Sequence, residues 1–397
     1  MKNNTSKVLT VVLSIIFMLS VLPVIPFTAS AEVASGVCGN NLTWVLDKST
    51  GVITISGTGE MYTYNMLQDI PWRNLRGDIK SIVIENGVTS IGGSAFSDCE
   101  EVVSISIPAS VALIGNNASF FKCQKSLETI TVDEENNTFK SLNNCLINTT
   151  NNTLILGCKN SIIPTDGSVT SIGHSAFSYC DKLETIIIPE SVTVIENQAF
   201  AECNGLTEVK MPESLTSIGE AAFMNCSALT EIAIPVSVKE IKTQAFYGCE
   251  GITEISIPDG IETIPLWAFC RCTKLKKVII PNSVKEIGSQ AFHHDSLIET
   301  VLYYGSREQW DNISISEGND YLLNATWHYN YVPHTPGDIN GDGNINNKDL
   351  TRLFQYLSDW DVEVNEAALD INGDGTVNNK DLTRLFQYLS DWEVEIF

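Results

Sequence analysis

The chain has 397 residues, a length that suits two or three domains, and it carries 48 acidic residues against 24 basic ones. The resulting net charge of −24 at pH 7 argues against nucleic acid and anionic membranes as partners, because an acidic surface cannot release the counterions of a polyanion. We therefore expect neither nucleic-acid binding nor attachment to anionic lipid.

Residues 1–31 have the pattern of a secretory signal peptide. Lys2 and Lys7 precede an apolar run at 8–22, and the small residues 29–31 supply a cleavage site before Glu32. The run is too short for a membrane span, and no later stretch approaches the roughly 18 apolar residues that a span needs. The sequence therefore predicts a secreted, extracellular protein without membrane insertion.

Residues 32–78 predict a β-hairpin. Strand-like stretches at 42–46 and 52–56 flank a turn at 47–51, with Trp44, Tyr62 and Trp72 close by. A segment of fewer than about 50 residues makes a poor independent core, whereas a stack of coils needs its first open edge covered. We therefore predict an N-terminal β cap rather than a separate binding domain.

From residue 79 to residue 296 the sequence repeats with a period of 23 residues. The period is carried by Ala-Phe pairs, by L-x-x-I-x-I strands and by a column of cysteines. The main members of the two columns are Phe96, Phe177, Phe200, Phe223, Phe246, Phe269 and Phe292, and Cys99, Cys123, Cys180, Cys203, Cys226, Cys249 and Cys272. One such coil cannot bury its own apolar face, so the pattern predicts coils that stack into a solenoid.

This consensus resembles the BspA-like leucine-rich repeats of bacterial surface and secreted proteins. The resemblance covers about residues 32–330, and it is specific for the fold but weak for function. It implies a mainly β leucine-rich-repeat solenoid with a hairpin insert at about 127–160, where residues 142–147 and 153–156 flank an Asn/Thr turn. Residues 297–330 resemble the closing segment of such arrays and predict a C-terminal cap, and a Pro-containing linker follows at 331–337.

The eleven cysteines are predicted to be mostly free thiols. Their number is odd, and stacked side chains in one column point the same way, which disfavours a ladder of disulfides even though neighbouring coils are close enough. Cysteine is also a small residue that is readily buried. The exceptions to be checked for a disulfide are Cys38 and the facing pair Cys145 and Cys158.

The sequence contains no persuasive catalytic constellation. It has no HExxH, G-x-S-x-G or Gly-rich phosphate loop, and the adjacent His293 and His294 stand at variable positions. Glu208, Glu231 and Glu254 form a ladder on one predicted strand face, but glycoside hydrolysis needs facing carboxylates in a cleft. We therefore predict that the protein is not an enzyme.

Trp267 is the first candidate for ligand recognition by the repeats. Its column elsewhere holds small or polar residues, namely Ser94, Ser175, Gln198, Ala221, Gln244 and Gln290. The indole is therefore predicted to be exposed, and exposed aromatic side chains anchor interfaces and stack on sugar rings. Tyr247 and Tyr179, also at variable positions, are further candidates for a ligand-binding surface.

The last sixty residues contain a duplicated motif, in which residues 338–364 return as 370–396 with four differences. Each copy places oxygen-bearing side chains at loop positions 1, 3, 5, 9 and 12 and a glycine at position 6, as a hard cation requires. With position 7 included, the predicted ligands of two Ca²⁺ ions are Asp338, Asn340, Asp342, Asn344, Asn346 and Asp349 in one copy, and Asp370, Asn372, Asp374, Thr376, Asn378 and Asp381 in the other.

A helix is predicted to leave each loop, whereas no amphipathic helix enters it. Its apolar residues stand at i, i+3, i+4 and i+7: Leu350, Leu353, Phe354, Leu357 and Leu382, Leu385, Phe386, Leu389. This loop–helix pair resembles the type I dockerin, a family that docks exported proteins into cohesin modules of a cellulosome scaffold. The resemblance implies a small all-α calcium-binding module at 338–397 whose cohesin-binding surface comprises Asn347, Lys348, Arg352, Gln355, Tyr356, Asn379, Lys380, Arg384, Gln387 and Tyr388.

These predictions describe a secreted, non-catalytic component of a cellulosome, attached to it or to the cell surface through the scaffold. The dockerin-like module would bind a scaffoldin cohesin in a calcium-dependent way, and the repeats would bind an unknown protein or cell-surface partner. One alternative is a module that binds plant polysaccharide. A less favoured alternative is a carbohydrate-active or proteolytic enzyme, because the repeats and their caps fill the region outside the module.

Overall fold

The computed structural model describes residues 32–64, 66–115, 125–331, 337–339, 345–358, 360, 362, 364, 368–373, 376–390 and 396. The predicted signal peptide lies outside these residues, as do Cys123, most of the predicted linker and parts of both predicted calcium loops.

The described chain begins with an antiparallel meander of three strands, β1 (Val33–Gly39), β2 (Leu42–Asp47) and β3 (Val52–Gly57). The predicted hairpin corresponds to β2 and β3, and β3 then pairs in parallel with the first strand of the repeats. Trp44 and Trp72 are buried, whereas Tyr62 is 45% exposed. The meander thereby covers the open edge of the stack that follows.

The described residues between 58 and 331 form a β-solenoid of about ten turns, in which parallel strands build two faces. Face one comprises β5 (Ser81–Ile84), β7 (Ser104–Ile107), β9 (Thr129–Val132), β14 (Thr185–Ile187), β16 (Glu208–Lys210), β19 (Glu254–Ser256), β21 (Lys277–Ile280), β23 (Thr300–Tyr303) and β25 (Thr326–His328). Face two comprises β4 (Gly59–Glu60), β6 (Val88–Ile91), β8 (Leu113–Ile114), β13 (Ser171–Ile172), β15 (Val194–Ile195), β17 (Ser217–Ile218), β18 (Glu240–Ile241), β20 (Thr263–Ile264), β22 (Glu286–Ile287) and β24 (Ser314–Ile315). Successive coils pair in register, as in Glu254↔Lys277, so each sequence column becomes a spatial ladder.

The core of the solenoid is a ladder of stacked phenylalanine rings. From Phe177 to Phe292 neighbouring ring centroids lie 5.1–5.5 Å apart, and the planes differ by at most 15°. At the N-terminal end Trp72 stacks on Phe96 at 5.4 Å, and its Nε1 donates to the carbonyl of Ala95 at 2.9 Å. Ladder and cap bury their aromatic surface together, which couples the folding of one coil to that of the next.

The column of cysteines forms a second buried ladder. The Sγ of Cys203, Cys226 and Cys249 each donates to the carbonyl of a phenylalanine 26 residues earlier, at 3.0–3.1 Å. Burial raises the pKa of Cys203 and Cys249 to about 12, so these thiols keep their proton. The ten cysteines that the structure describes are all buried thiols, and none of them forms a disulfide with another. The prediction of free thiols is confirmed for them, and Cys38, Cys145 and Cys158 are no exceptions.

The insert at 127–160 is a meander rather than a single hairpin. It contains β10 (Phe139–Leu142), β11 (Cys145–Asn148) and β12 (Thr153–Leu156), and β12 pairs in parallel with β13 of face two. The expected continuous strand over 142–147 is wrong, because Asn143 and Asn144 adopt left-handed φ values of 50° and 59° and turn the chain between β10 and β11. The turn between β11 and β12 lies where the sequence predicted it.

The C-terminal end of the solenoid adds one more coil to each face, through β24 and β25. Two short helices accompany it, α1 (Arg307–Trp310) and α2 (Asp320–Leu323). Within the array the N–H of a ladder phenylalanine donates to a carbonyl of the next coil, as from Phe269 to Ala291 at 2.9 Å. The last ladder amide, that of Phe292, donates instead to the side chain of Asn319 at 3.1 Å. A side chain thereby replaces the coil that would come next.

The C-terminal module contains two helices of identical sequence, α3 (Asn347–Leu357) and α4 (Asn379–Leu389). They share a small apolar core with the loop residues before them, formed by Ile339, Leu353, Ala368, Leu369, Ile371 and Leu385. Taken over the described residues, the protein has no helix with the length and apolar character that a membrane crossing needs.

Candidate functional site

Both helices of the C-terminal module begin with the same capping arrangement. The Oδ1 of Asn346 and of Asn378 accepts the backbone N–H two residues further on, at 2.9 Å in each copy. In return, the backbone N–H of each cap residue donates to Asp349 or to Asp381 at 2.8 Å. This reciprocal pair of bonds starts each helix where its predicted calcium loop ends.

Asp381 also ties the beginning of its loop to the helix. Its Oδ1 accepts the backbone N–H groups of Ile371 at 2.9 Å and of Asn372 at 3.1 Å. Together with the cap residue, three backbone amides converge on a carboxylate that is 0% exposed. A carboxylate has about four lone-pair sites, so this arrangement still leaves one for a metal ion.

The buried carboxylates of the module fit a hard cation. Asp338, Asp349 and Asp381 are 5%, 0% and 0% exposed, and a buried carboxylate is costly unless it is paired, hydrogen-bonded or coordinated to a metal. The donor set of carboxylate, amide and hydroxyl oxygens is the one that calcium prefers.

Only part of the predicted ligand set lies within the described residues. Asn346, Asp370, Asn372, Thr376 and Asn378 are described with the three buried aspartates, whereas the remaining four, Asn340, Asp342, Asn344 and Asp374, lie outside. Within the described ranges alone, no group of three or more His, Cys, Asp or Glu side chains is arranged to hold a metal. The complete ligand set therefore stays a prediction.

The predicted cohesin-binding residues lie on solvent-accessible parts of both helices. Asn347, Lys348 and Tyr356 are exposed, whereas Arg352 and Gln355 are half-buried. In the second copy Asn379, Lys380 and Tyr388 are exposed and Arg384 and Gln387 are half-buried, so the pattern is the same. Each copy therefore presents the same set of side chains to a partner, as the sequence identity of the copies predicted.

Phe354 and Phe386 differ from the sequence-based expectation. The helical spacing assigned both to the core, but each is 54% exposed. Leu353 and Leu385 are fully buried, and the flanking leucines of each stripe pack against the same small core. The phenylalanines, with Leu350, Thr351, Leu382 and Thr383, instead line a groove of about 460 Å³ between the helices. A helical period of 3.6 shows which residues share a stripe, but it does not show which members of the stripe remain open to solvent.

In the repeats, the structure brings two of the three aromatic candidates together. Trp267 and Tyr247 line one cavity of about 360 Å³, whereas Tyr179 lies several coils away and is 37% exposed. Trp267 is half-buried, so the prediction of an exposed indole is wrong, and its Nε1 donates to Gln290 Oε1 of the next coil. Arg271, His293 and His294 line the same cavity, and sequence reasoning had placed the histidines only at variable surface positions.

The carboxylate ladder of face one remains open to solvent. Glu254 pairs with Lys277 at 3.1 Å, and Glu208 pairs with Lys210 at 3.4 Å. These carboxylates are about half exposed and stand along face one on strands of two different sheets, so they do not form the facing acid–base pair in a cleft that glycoside hydrolysis requires. Exposed pairs of this kind contribute only about 0–1 kcal/mol each.

Comparison with known proteins identifies both parts of the chain. The model of the BspA type leucine rich repeat region matches six copies within residues 74–204 and 170–299, and the model of the dockerin type I domain matches residues 336–390. No curated protein matches the chain.

Several solved structures are similar to the solenoid. They include pneumococcal vaccine antigen PcpA (16% identity, 75% of this chain and 98% of that chain, TM-score 0.48) and a leucine rich cell surface protein from Faecalibacterium prausnitzii (20% identity, 71% and 97%, TM-score 0.41). A leucine-rich repeat protein from Bacteroides ovatus is 25% identical over 71% of this chain and 75% of that chain, with a TM-score of 0.39. The two family models together cover the repeats and the C-terminal module, and both domains are of non-catalytic kinds. The chain belongs to the family of BspA-type leucine-rich-repeat proteins and carries a type I dockerin domain at its C-terminus.

Proposed function

We propose that this protein is a secreted, non-catalytic adaptor that displays its repeats on a cellulosome. Type I dockerin domains bind calcium, and such a domain implies a cohesin partner. In the proposed organisation the signal peptide spans 1–31, the N-terminal cap 32–78, the repeats 79–296, the C-terminal cap 297–330, the linker 331–337 and the dockerin 338–397. Two Ca²⁺ ions, one for each loop, order the module.

The observation that carries this proposal is the duplication of an accessible helix face. Each helix presents an exposed Lys, an exposed Tyr and a half-buried Arg from the predicted cohesin-binding set, and it adds an exposed Phe that lines the groove between the helices. Exposed aromatic and cationic side chains on a rigid helix are typical interface anchors. We therefore add Phe354 and Phe386 to the surface that contacts cohesin.

Binding to cohesin modules from scaffold proteins of the same organism tests the proposal. The full-length chain saturated with calcium is expected to bind at least one of them, and chelation is expected to abolish the binding. A double variant, Phe354→Glu with Phe386→Glu, should weaken it at least tenfold because two charges would enter the interface. Ile162→Glu makes the matched control, since Ile162 is a 70% exposed apolar residue of the repeats. A calcium-saturated chain that ignores every such cohesin would refute the adaptor role.

For the repeats we propose binding of a protein or cell-surface partner. The two faces of parallel strands offer an extended surface in a chain with a net charge of −24, and stacked repeats present such surfaces to macromolecules. Capture of partners from the secretome by the full-length chain, compared with a chain ending at residue 331, would distinguish ligands of the repeats from those of the dockerin.

Plant polysaccharide is a second candidate ligand of the repeats. It is favoured by one observation, the cavity that Trp267 and Tyr247 line together. Neutral sugars stack on aromatic rings and need neighbouring groups that both donate and accept hydrogen bonds, which this cavity contains in Gln244 and Gln290.

A further inference from the structure

The cavity beside Trp267 differs from the rest of the repeats in charge. Its lining includes Arg271, His293 and His294 but no carboxylate, in a chain with 48 acidic residues. In the other coils the column of Arg271 and His294 holds Asp98, Tyr179, Glu202, Asn225 and Gly248. Acidic or neutral residues are thus replaced by basic ones in two successive coils, at the place where the aromatic side chains also gather.

The groups of this cavity are held in place by the backbone. Trp267, Arg271, Gln290 and His294 have left-handed φ values of 55–66°, and the other described coils with an Ala-Phe pair also adopt positive φ values in these two columns. Successive coils are joined at this turn by backbone bonds, such as Arg271 N–H to the His293 carbonyl at 2.8 Å. The left-handed conformation costs about 1–2 kcal/mol for a residue with a side chain, and the regular stack enforces it. The side chains therefore leave the turn in directions that are set before a ligand arrives.

Side-chain contacts order the cavity further. The indole Nε1 of Trp267 donates to Gln290 Oε1, and Arg271 Nη1 donates to the Tyr247 hydroxyl at 3.4 Å. The rings of His293 and His294 lie 4.0 Å apart. A preorganised site loses less conformational entropy on binding, so few contacts suffice for measurable affinity.

A neighbouring irregularity sets this coil apart from the others. In the coils around it, the residue after the face-two strand donates its N–H to the preceding coil, as Lys242 does to Ile218 and Gly288 to Ile264. Pro265 occupies that position here and has no N–H. Within the described residues β18 and β20 do not pair, and face two is divided at this coil. The coil that contains Trp267 therefore differs from its neighbours both in the side chains of its cavity and in the pairing of its face-two strand.

We propose that this cavity binds a carboxylate-bearing sugar, that is, a uronic acid residue of a glycan. The guanidinium of Arg271 matches a carboxylate with two parallel hydrogen bonds, and the imidazoles add donors beside it. The rings of Trp267 and Tyr247 offer apolar surface for the sugar, and the amides of Gln244 and Gln290 can donate to and accept from hydroxyl groups. The volume of about 360 Å³ lies at the lower end of small-ligand sites, which fits one or two sugar rings.

An acidic peptide would pair with the Arg271 guanidinium equally well, but its acidic side chains offer no hydroxyl groups to the amides of Gln244 and Gln290. The proposal therefore commits to the glycan. It refines the second candidate function of the repeats and does not depend on cohesin binding by the dockerin.

Calorimetric titration of the full-length, calcium-saturated chain with a trimer of galacturonic acid tests the proposal. The methyl ester of the same trimer serves as the neutral probe, and a hexamer of glutamic acid as the peptide probe. We expect the acid trimer to bind with a dissociation constant in the millimolar range or tighter, at least tenfold more tightly than the ester, and binding to weaken as salt is added.

Substitutions taken from the same columns keep the turn conformation. Arg271→Asn should weaken binding of the acid roughly tenfold and leave binding of the ester unchanged. Trp267→Gln should weaken both probes. Lys182→Gln, which removes one exposed positive charge from a distant coil, should change neither. All variants should retain the thermal midpoint of the parent within a few degrees and should retain cohesin binding.

If the trimer of galacturonic acid does not bind at millimolar concentration, the proposal is overturned. It is also overturned by equal binding of acid and ester, or by binding that both cavity variants leave unaltered. Tighter binding of the glutamate hexamer than of the galacturonate trimer would replace the glycan by an acidic peptide as the ligand. Because cohesin binding is measured separately on the same variants, failure here would leave the adaptor proposal intact.

Discussion

Asp295 occupies the place of a cysteine in the buried thiol column, 23 residues after Cys272. Its side chain is 0% exposed, and neither carboxylate oxygen makes a hydrogen bond of normal geometry within the described residues. Burial raises the pKa of this carboxyl to about 8, with the Cys272 amide lowering it slightly. The folded protein therefore holds a proton on Asp295 at a pH where the unfolded chain has lost it.

The raised pKa of Asp295 predicts a stability that falls with pH. Below about pH 4 both states are protonated and no stability is lost. As pH rises towards 8, Asp295 ionises only in the unfolded state. This lowers the free energy of unfolding by on the order of 5 kcal/mol, at about 1.4 kcal/mol per pKa unit. Asp295→Asn should therefore raise the free energy of unfolding by several kcal/mol at pH 8 but change it little at pH 4. Denaturant titrations of both proteins at the two pH values measure the difference, and an equal effect at both would contradict it.

Asn319 closes the C-terminal end of the repeats through three hydrogen bonds. Its Oδ1 accepts the Phe292 N–H, and its Nδ2 donates to the carbonyls of Gly288 and Ser316 at 3.0 and 2.9 Å. Asn319→Ala would leave these groups unsatisfied in a buried place, at about 1–3 kcal/mol for each buried group. We expect hydrogen exchange to accelerate in residues 288–328 while residues 32–115 keep their protection. Asn312→Ala, at a more exposed asparagine of the same region, serves as the control.

Single residues show where sequence patterns stop being informative. The columns of Phe and Cys predicted the buried ladders because each position repeats in coil after coil. Trp267 occurs once, and its column predicted an exposed ring, whereas a hydrogen bond to Gln290 holds the indole half-buried. Arg271, His293 and His294 could have been grouped with it by aligning the coils, since all three depart from their columns within one period.

At the scale of elements, strand positions followed from the 23-residue period but the continuity of the sheets did not. Face two is divided at Pro265, and face one has no strand at residues 231–234 of the described chain. The period alone treats every coil as equivalent, whereas a proline at one position removes a donor that the neighbouring coils use. The prediction of a continuous strand in the insert was wrong for a related reason. Two adjacent asparagines adopt left-handed φ values there and turn a chain whose sequence otherwise resembles a strand.

The duplicated calcium loops predict functional redundancy. Asp342→Ala or Asp374→Ala alone should weaken cohesin binding only modestly, because the other loop–helix unit still presents the same side chains. The double variant should abolish binding, since loss of one carboxylate from each loop leaves neither helix firmly positioned. Surface-bound cohesin titrated with the three variants in millimolar calcium measures this. Binding by the double variant at the affinity of the parent would remove position 5 of the loops from the proposed site.

At the scale of the whole molecule, the two domains depend on different sources of stability. The repeats bury a continuous ladder of phenylalanines, and the caps close both ends with Trp72 and Asn319. Among its described residues the dockerin has a core of six buried apolar residues and keeps three aspartates inside. So small a core favours a domain whose folding depends on metal binding, and we expect calcium to supply the missing free energy of folding.

This difference predicts separate unfolding of the two domains. Chelation of calcium should remove the helical signal of residues 347–357 and 379–389, because calcium at a hundred times its dissociation constant stabilises a fold by about 2.7 kcal/mol at each site. The repeats should keep their β signal and their thermal midpoint, since their core contains no metal ligand that the sequence predicts. Circular dichroism with and without chelator, on the full chain and on a chain ending at residue 331, separates the two contributions. Loss of the β signal on chelation would show that the repeats also need calcium, whereas unchanged helicity would show that the dockerin folds without it.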